Sequence, residues 1–371
     1  MLLTKRQFLS RSGMLGLGAA LPLSAHAATP LEQAINERVQ QLRAEGRLAS
    51  DERTAWLVHD LVANRPLAQI NANTPLQCAS LVKPFVIQAY LLTHFVKDAA
   101  LYPMSERVQN EMRGMVVSSN NEFTNHLFKR LGGPEGVQWM LKKQAPQIFR
   151  NIQIVENIPA QGRTYRNRAS VADYDRFLRA MWANQLPGAQ FLKQIMSIPN
   201  PDRIRSKTQF VPQTATVYDK TGSTAMLCGN FGVIECKANG RSYPYTISAV
   251  IEKGTAAGNY SSWITSRSNV IREISDIVYL HFAANHRIGN ERKSGACPAF
   301  LFPNRCRQSI DKSKRTHYVS RDSCKPLVQH AEKSPLSRCP ARHRCPRRGC
   351  PGRLANPSRQ PHDPLHPGQY R

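Results

Sequence analysis

The chain has 371 residues, 41% of them apolar and 20% charged, with a formal net charge of +26. That length and apolar share exclude a disordered polymer and a small disulfide scaffold, and leave room for one large domain with its own core. The basicity is uneven: residues 287–371 hold 19 Lys and Arg against 5 Asp and Glu, or +14, so the whole-chain charge does not argue for a nucleic-acid partner.

Residues 1–28 read as an export signal of the twin-arginine kind. Lys5 and Arg6 precede Phe8 and Leu9, an apolar run from Met14 to Leu23 follows, and Ala25-His26-Ala27 is a small-x-small cleavage site. The run is too short to span a bilayer. The expectation is a periplasmic, monomeric protein with no stable membrane insertion.

Residues 29–286 have globular composition. Ile35, Val39 and Leu42 recur at helical spacing within Leu31–Glu45. Thr54–Ala63 and Leu67–Ile70 read as strands around a turn at Asn64-Arg65-Pro66. From Val82 to Val96 the chain is apolar nearly all round, which is the pattern of a buried helix. Pro84 is tolerated only in a first turn, so that helix starts near Ala79–Leu81, with Ser80 at its N-terminus. Helices are expected over Glu106–Val117 and Asn120–Leu131, the second stopping at Gly132-Gly133-Pro134. Ile152–Glu156 leads into an irregular segment, and Ser170 caps a helix running to Asn184. Three strands follow, over Ala215–Ala225, Phe231–Lys237 and Tyr243–Glu252, the last two joined by the hairpin pair Asn239-Gly240. A final amphipathic helix spans Ser262–Ala284. The fold class is therefore α/β in the α+β sense: one antiparallel sheet, terminal helices on one face and an all-helical insert on the other.

Residues 287–371 lack periodicity and hold six of the nine cysteines and eleven of the 25 prolines, too little apolar surface to build a core. Cys339, His343, Cys345 and Cys350 fit no common zinc spacing. ARHRCPRRGCPGR at 341–353 has the look of out-of-frame translation of GC-rich DNA. In the domain itself Cys78, Cys228 and Cys236 are expected to be buried thiols.

Three short motifs carry chemistry. Ser80 and Lys83 stand at i and i+3, so a hydroxyl and an amine share one face at a helix N-terminus that favours developing negative charge. Ser119 and Asn121 open a helix, with Asn125 one turn on; Ser118 and Asn120 fit the same pattern one residue earlier. Lys220-Thr221-Gly222 lies in the first late strand, followed by Ser223. Ser-x-x-Lys, Ser-x-Asn and Lys-Thr-Gly in this order resemble the penicillin-recognising serine hydrolases, class A β-lactamases among them. The element order is similar over residues 31–286, and the asparagine four residues on selects the Ser119/Asn121 register.

The resemblance implies roles. Ser80 is the nucleophile, and Lys83, with a lowered pKa, its base. Ser119 passes a proton to the leaving nitrogen. Asn121 holds Lys83 and a substrate amide. Lys220, Thr221 and Ser223 bind the substrate carboxylate, and Gly222 lets substrate lie against the strand edge. The backbone N–H groups of Ser80 and Ser223 form an oxyanion hole. Glu156 stands where the family's omega-loop glutamate activates the deacylating water, although Ala160 replaces the asparagine of the Glu-x-x-x-Asn pattern and Asn157 or Asn167 is left as the water ligand. A solvated strand-end carboxylate is the other reading of Glu156. No metal or cofactor is implied. The expected substrate is a small-molecule β-lactam or a peptidoglycan peptide. The expected activity is β-lactam hydrolysis; the alternatives are a penicillin-binding D,D-peptidase-like enzyme and a weakly catalytic peptidoglycan-binding homologue.

Overall fold

The computed structural model describes residues 27–159 and 162–288. Nearly all of the export signal and the basic tail, and Ala160, lie outside the described residues.

Thr29 opens helix α1 (Pro30–Ala44) with a capping box, its hydroxyl accepting from Glu32 N while the Glu32 carboxylate accepts from Thr29 N. Leu31, Ile35, Val39 and Leu42 form its buried face. Strands β1 (Arg53–Asp60) and β2 (Arg65–Ile70) pair as a hairpin. After short β3 (Leu76–Gln77) comes a 3₁₀ turn (Ala79–Val82), which passes into α2 (Lys83–Leu92) and a π-type turn (Thr93–Lys97). The run Ala79–Lys97 is long and apolar enough to cross a membrane. Instead every α2 residue is buried in the domain, with α3 (Glu106–Val117), α4 (Asn121–Arg130) and α5 (Gly133–Gln144) against it.

β4 (Arg168–Ala169) pairs with β3. Ser170 then caps α6 (Val171–Trp182), and α7 (Ala189–Met196) follows. β5 (Thr216–Thr224), β6 (Leu227–Ala238), β7 (Arg241–Glu252) and α8 (Tyr260–His286) complete the described elements. The five-stranded antiparallel sheet has the order β2-β1-β7-β6-β5, so β7 bridges the first and last thirds of the domain. Asn239 and Gly240 turn β6 into β7 with φ of 50° and 72°, as the hairpin pair requires.

Alternation along β6 divides the core. Phe231 and Val233 face the helical insert, while Cys228, Ile234 and Cys236 face α1 and α8. On the insert side Phe85 packs on Phe149, Tyr174 and Phe177, with ring centroids 5.1, 5.4 and 5.3 Å away. Each fully buried ring of this kind contributes roughly 1.5–3 kcal/mol. The three cysteines of the domain are buried and unpaired.

The sequence missed two helices. α5 begins at the Gly133-Pro134 read as a stop, because a Pro in the first helical turn costs no hydrogen bond and starts a helix as well as ending one. α7 spans only eight residues, too few to show a period.

Candidate active site

The sequence places Ser80 in the first turn of α2, and the structure refines this. That turn is 3₁₀, closed by Leu81 N donating to Cys78 O at 2.9 Å, and the α-helix starts at Lys83. A 3₁₀ turn eclipses side chains three apart, so Ser80 and Lys83 stand closer to one line than in an α-helix. Lys83 is wholly buried. Its Nζ lies 3.0 Å from Ser80 Oγ, 2.9 Å from Ser119 Oγ and 2.8 Å from Asn121 Oδ1, and also donates to Ser119 O. Ala79 and Ser119, on either side of this amine, are non-glycine residues with φ of 45° and 56°. Left-handed residues of this kind cost roughly 1–3 kcal/mol each and gather at functional sites.

Burial, and next the charge of Lys220, lower the Lys83 pKa to about 6. Lys220 is itself 1% exposed and donates to Thr221 O at 3.1 Å. Burial is also the main cause of its lowered pKa, opposed by Asp219 and reinforced by Arg203. Behind it the Asp219 carboxyl is raised by burial and by Asp202, and accepts from Asn200 Nδ2 at 2.9 Å and Asn230 Nδ2 at 2.7 Å.

An open cleft of about 480 Å³ lies in front of this group, whose Lys83, Lys220 and Asp219 stay buried behind its lining. Ser80, Ser119 and Asn121 line its base, Ile158, Arg163 and Tyr165 one wall, and Ser223, Thr224 and Tyr260 the other. Thr221 and Gly222 are not among the cleft-lining residues. The reason given above for Gly222 is corrected: a Cβ there would stand 2.6 Å from Leu81 Cγ and 3.0 Å from Cys78 O. The glycine admits the nucleophile turn to the strand, not the substrate.

Glu156 is a second correction. Its Oε1 accepts from Thr164 Oγ1, Tyr165 N and Arg166 N, each at 2.7 Å, and these bonds hold its pKa below the usual value against the opposing effect of burial. The carboxylate is a staple within its own loop and makes no bond to Lys83, Ser80 or Asn121. Asn167 is equally engaged, accepting from Val155 N and Glu156 N at 2.8 and 3.1 Å and donating to Glu156 O at 2.9 Å, so it is no water ligand. Asn157 is exposed and outside the cleft lining. Beside Glu156 the loop residue at the edge of the cleft is Ile158, an apolar side chain packed into the core and 1% exposed. Asn125 pins its backbone from both sides, Nδ2 donating to Ile158 O at 2.6 Å and Oδ1 accepting from Ile158 N at 3.0 Å.

Arg203 was invisible in the sequence, a lone arginine in an irregular segment. It is 8% exposed. Its guanidinium donates to Gly229 O at 2.6 Å, Gly222 O at 3.3 Å, Ser268 Oγ at 2.9 Å and Ser223 Oγ. It therefore fixes the Ser223 hydroxyl and adds a positive charge behind the cleft wall.

The model of the beta-lactamase enzyme family matches residues 102–282. Over that span the chain matches the β-lactamase enzyme family, and its fold is of the class A β-lactamase kind. The matched span begins after Ser80 and Lys83 and contains the Ser119, Glu156 and Lys220 segments. Among solved structures, a β-lactamase from Streptosporangium roseum has a TM-score of 0.53 at 18% identity, over 68% of this chain and 98% of its own. A class A β-lactamase from Bacteroides cellulosilyticus DSM 14838 has a TM-score of 0.54 at 19% identity, over 69% and 99%. A leucine-to-glutamate mutant of PBP-A, in acyl-enzyme complex with penicillin G, has a TM-score of 0.52 at 16% identity, over 68% and 97%. No curated protein matches the chain. The fold is thus that of the β-lactamases and PBP-A, and the family connection is to β-lactamase-like hydrolases.

Proposed function

We propose that the protein is a serine hydrolase that is acylated on Ser80 by β-lactams or cell-wall peptide amides and releases the acyl group slowly. The observation that carries this is the single buried amine shared by Ser80, Ser119 and Asn121. Neutral Lys83 takes the Ser80 proton as Oγ bonds to the substrate carbonyl carbon. The resulting oxyanion faces the backbone N–H groups of Ser80 and Ser223. The C–N bond then breaks, and the proton passes from Lys83 through Ser119 Oγ to the leaving nitrogen. Lys220 and Ser223, the latter held by Arg203, receive the substrate carboxylate.

Slow release follows from Ile158. Among the described residues the cleft lining holds no Asp or Glu, and an isoleucine cannot take a proton from water. This favours the penicillin-binding, D,D-peptidase-like alternative over rapid β-lactam turnover. The leader sequence supports a periplasmic site of action.

Intact mass of the purified chain after benzylpenicillin tests the proposal. One penicilloyl adduct, absent in Ser80→Ala and persisting for minutes or longer, is expected. Labelling of Ser80→Ala to the same extent would remove the serine from the mechanism. Rapid nitrocefin turnover would refute slow release.

A further inference from the structure

The loop bearing Ile158 is fixed on both sides of Arg163. Gly162, at φ +68°, donates its N–H to Pro159 O at 2.8 Å, and Thr164 N donates to Gly162 O at 2.9 Å. The next residues are fastened by the Glu156 carboxylate, which takes the Thr164 hydroxyl and the Tyr165 and Arg166 N–H groups. Between these ties the Arg163 side chain is exposed and lines the cleft. Arg166 adjoins the Glu156 charge, whereas the Arg163 guanidinium has no ion-pair or hydrogen-bond partner among the described residues.

Its position in the cleft gives it a direction. A Cβ on Gly162 would lie 3.6 Å from Asn121 Nδ2, so Arg163 follows directly on the point where the loop meets the amide assigned to the substrate's acyl group. Ser223 lies on the strand wall with Lys220 and Arg203 buried behind it, the side assigned above to the leaving-group carboxylate. Arg163 is thus the cation that lines the cleft itself, on the wall opposite Ser223, and the described lining residues include no acid.

Resting on the acyl-enzyme reading above, we infer that Arg163 selects substrates whose acyl part carries its own carboxylate, in addition to the carboxylate on the leaving-group side. The pinned loop loses little backbone freedom when this arginine meets such a group, and the planar fork of the guanidinium suits a carboxylate. The pair forms at a solvent-facing rim, so it is worth about fivefold in rate and weakens as salt screens it.

The test compares three penicillins that differ only at the acyl α-carbon: benzylpenicillin, its α-carboxy analogue carbenicillin and its α-amino analogue ampicillin. Second-order acylation rates of the full-length chain are measured by intact mass, and the carbenicillin-to-ampicillin ratio is read within each protein, so general effects of a substitution cancel. The ratio is expected to exceed about fivefold in the natural chain, to fall toward one in Arg163→Gln and to drop below one in Arg163→Glu. It should also shrink between 20 mM and 500 mM salt, roughly 20 Å and 4 Å of screening length. Equal ratios in the natural chain and Arg163→Gln, with benzylpenicillin still forming its adduct, would overturn the role of Arg163 and leave the acyl-enzyme intact. Failure of all three penicillins to acylate would overturn both.

Discussion

Lys83 gives up its charge near pH 6 because burial and the Lys220 ammonium both disfavour the protonated form. Below that pH it is an ammonium and cannot take the Ser80 proton; above it the amine is free. The acylation rate with benzylpenicillin should therefore rise with pH through about 6. It should fall again at alkaline pH, ahead of the ordinary lysine range, as Lys220 loses the charge that holds the substrate carboxylate. Lys220→Met removes one cause of the low value, so the acid limb should move to higher pH. A rate flat from pH 5 to 8 would contradict the assignment of Lys83 as base. Ile158 permits the opposite experiment on the second half-reaction. Asn125 already fixes its backbone, so Ile158→Glu sets a carboxylate at the edge of the cleft; because Ile158 is only 1% exposed, the variant's melting temperature is measured alongside. Release of the penicilloyl group should quicken by at least about tenfold, the low side of what a positioned general base supplies. Persistence of the adduct mass over time reads this directly, and an unchanged lifetime would exclude Ile158 as the limiting position.

At the scale of elements, the site depends on how closely β5 approaches the nucleophile turn. Gly222 and Gly229 both face Leu81, where added Cβ atoms would lie 2.6 and 2.8 Å from its side chain. Gly222→Ala must push the strand and the turn apart. It is expected to cost about 1–3 kcal/mol, as overpacking does, and to slow acylation, because Lys220 and Ser223 ride on the same strand. Thermal melting with acylation kinetics would show both losses; a stable, fully active variant would mean that the contact is soft. Such contacts also mark the limit of what the sequence discloses. The long helices and the β6–β7 hairpin were legible because each repeats a period or carries a turn signal. The Ser-x-x-Lys, Ser-x-Asn and Lys-Thr-Gly segments were legible as types in order, and the structure brings Ser80, Lys83, Ser119 and Asn121 within hydrogen-bonding distance. What a glycine faces is not periodic, and neither is the direction of a carboxylate in a loop. Glu156 had the right neighbourhood in sequence but turns inward to three donors of its own loop. Ile158, two residues on, lay in the irregular segment and carried no signal of its own.

Across the whole molecule, the same buried amine sets catalysis against stability. The unfolded chain holds Lys83 at an ordinary pKa of 10.5, the folded chain at about 6. Between those values the unfolded state binds a proton that the folded state lacks, so the contribution of Lys83 to folding stability rises as pH rises across that window. Below about 6 the domain must carry a buried ammonium, and the handicap is complete. Above the unfolded value both states are neutral and the handicap vanishes. Lys83→Met removes the titration while leaving a side chain of similar length. It also strips Asn121 Oδ1 and Ser119 O of a donor, which costs stability at every pH. The difference in melting temperature between variant and natural chain therefore has a fixed part and a part that depends on pH. The variant should fare best relative to the natural chain at pH 6 and progressively worse toward pH 9, while forming no penicilloyl adduct at any pH. Melting curves at four or five pH values would measure this slope. A difference independent of pH would mean that Lys83 titrates alike in both states, and the low pKa on which its role as base rests would have to be abandoned.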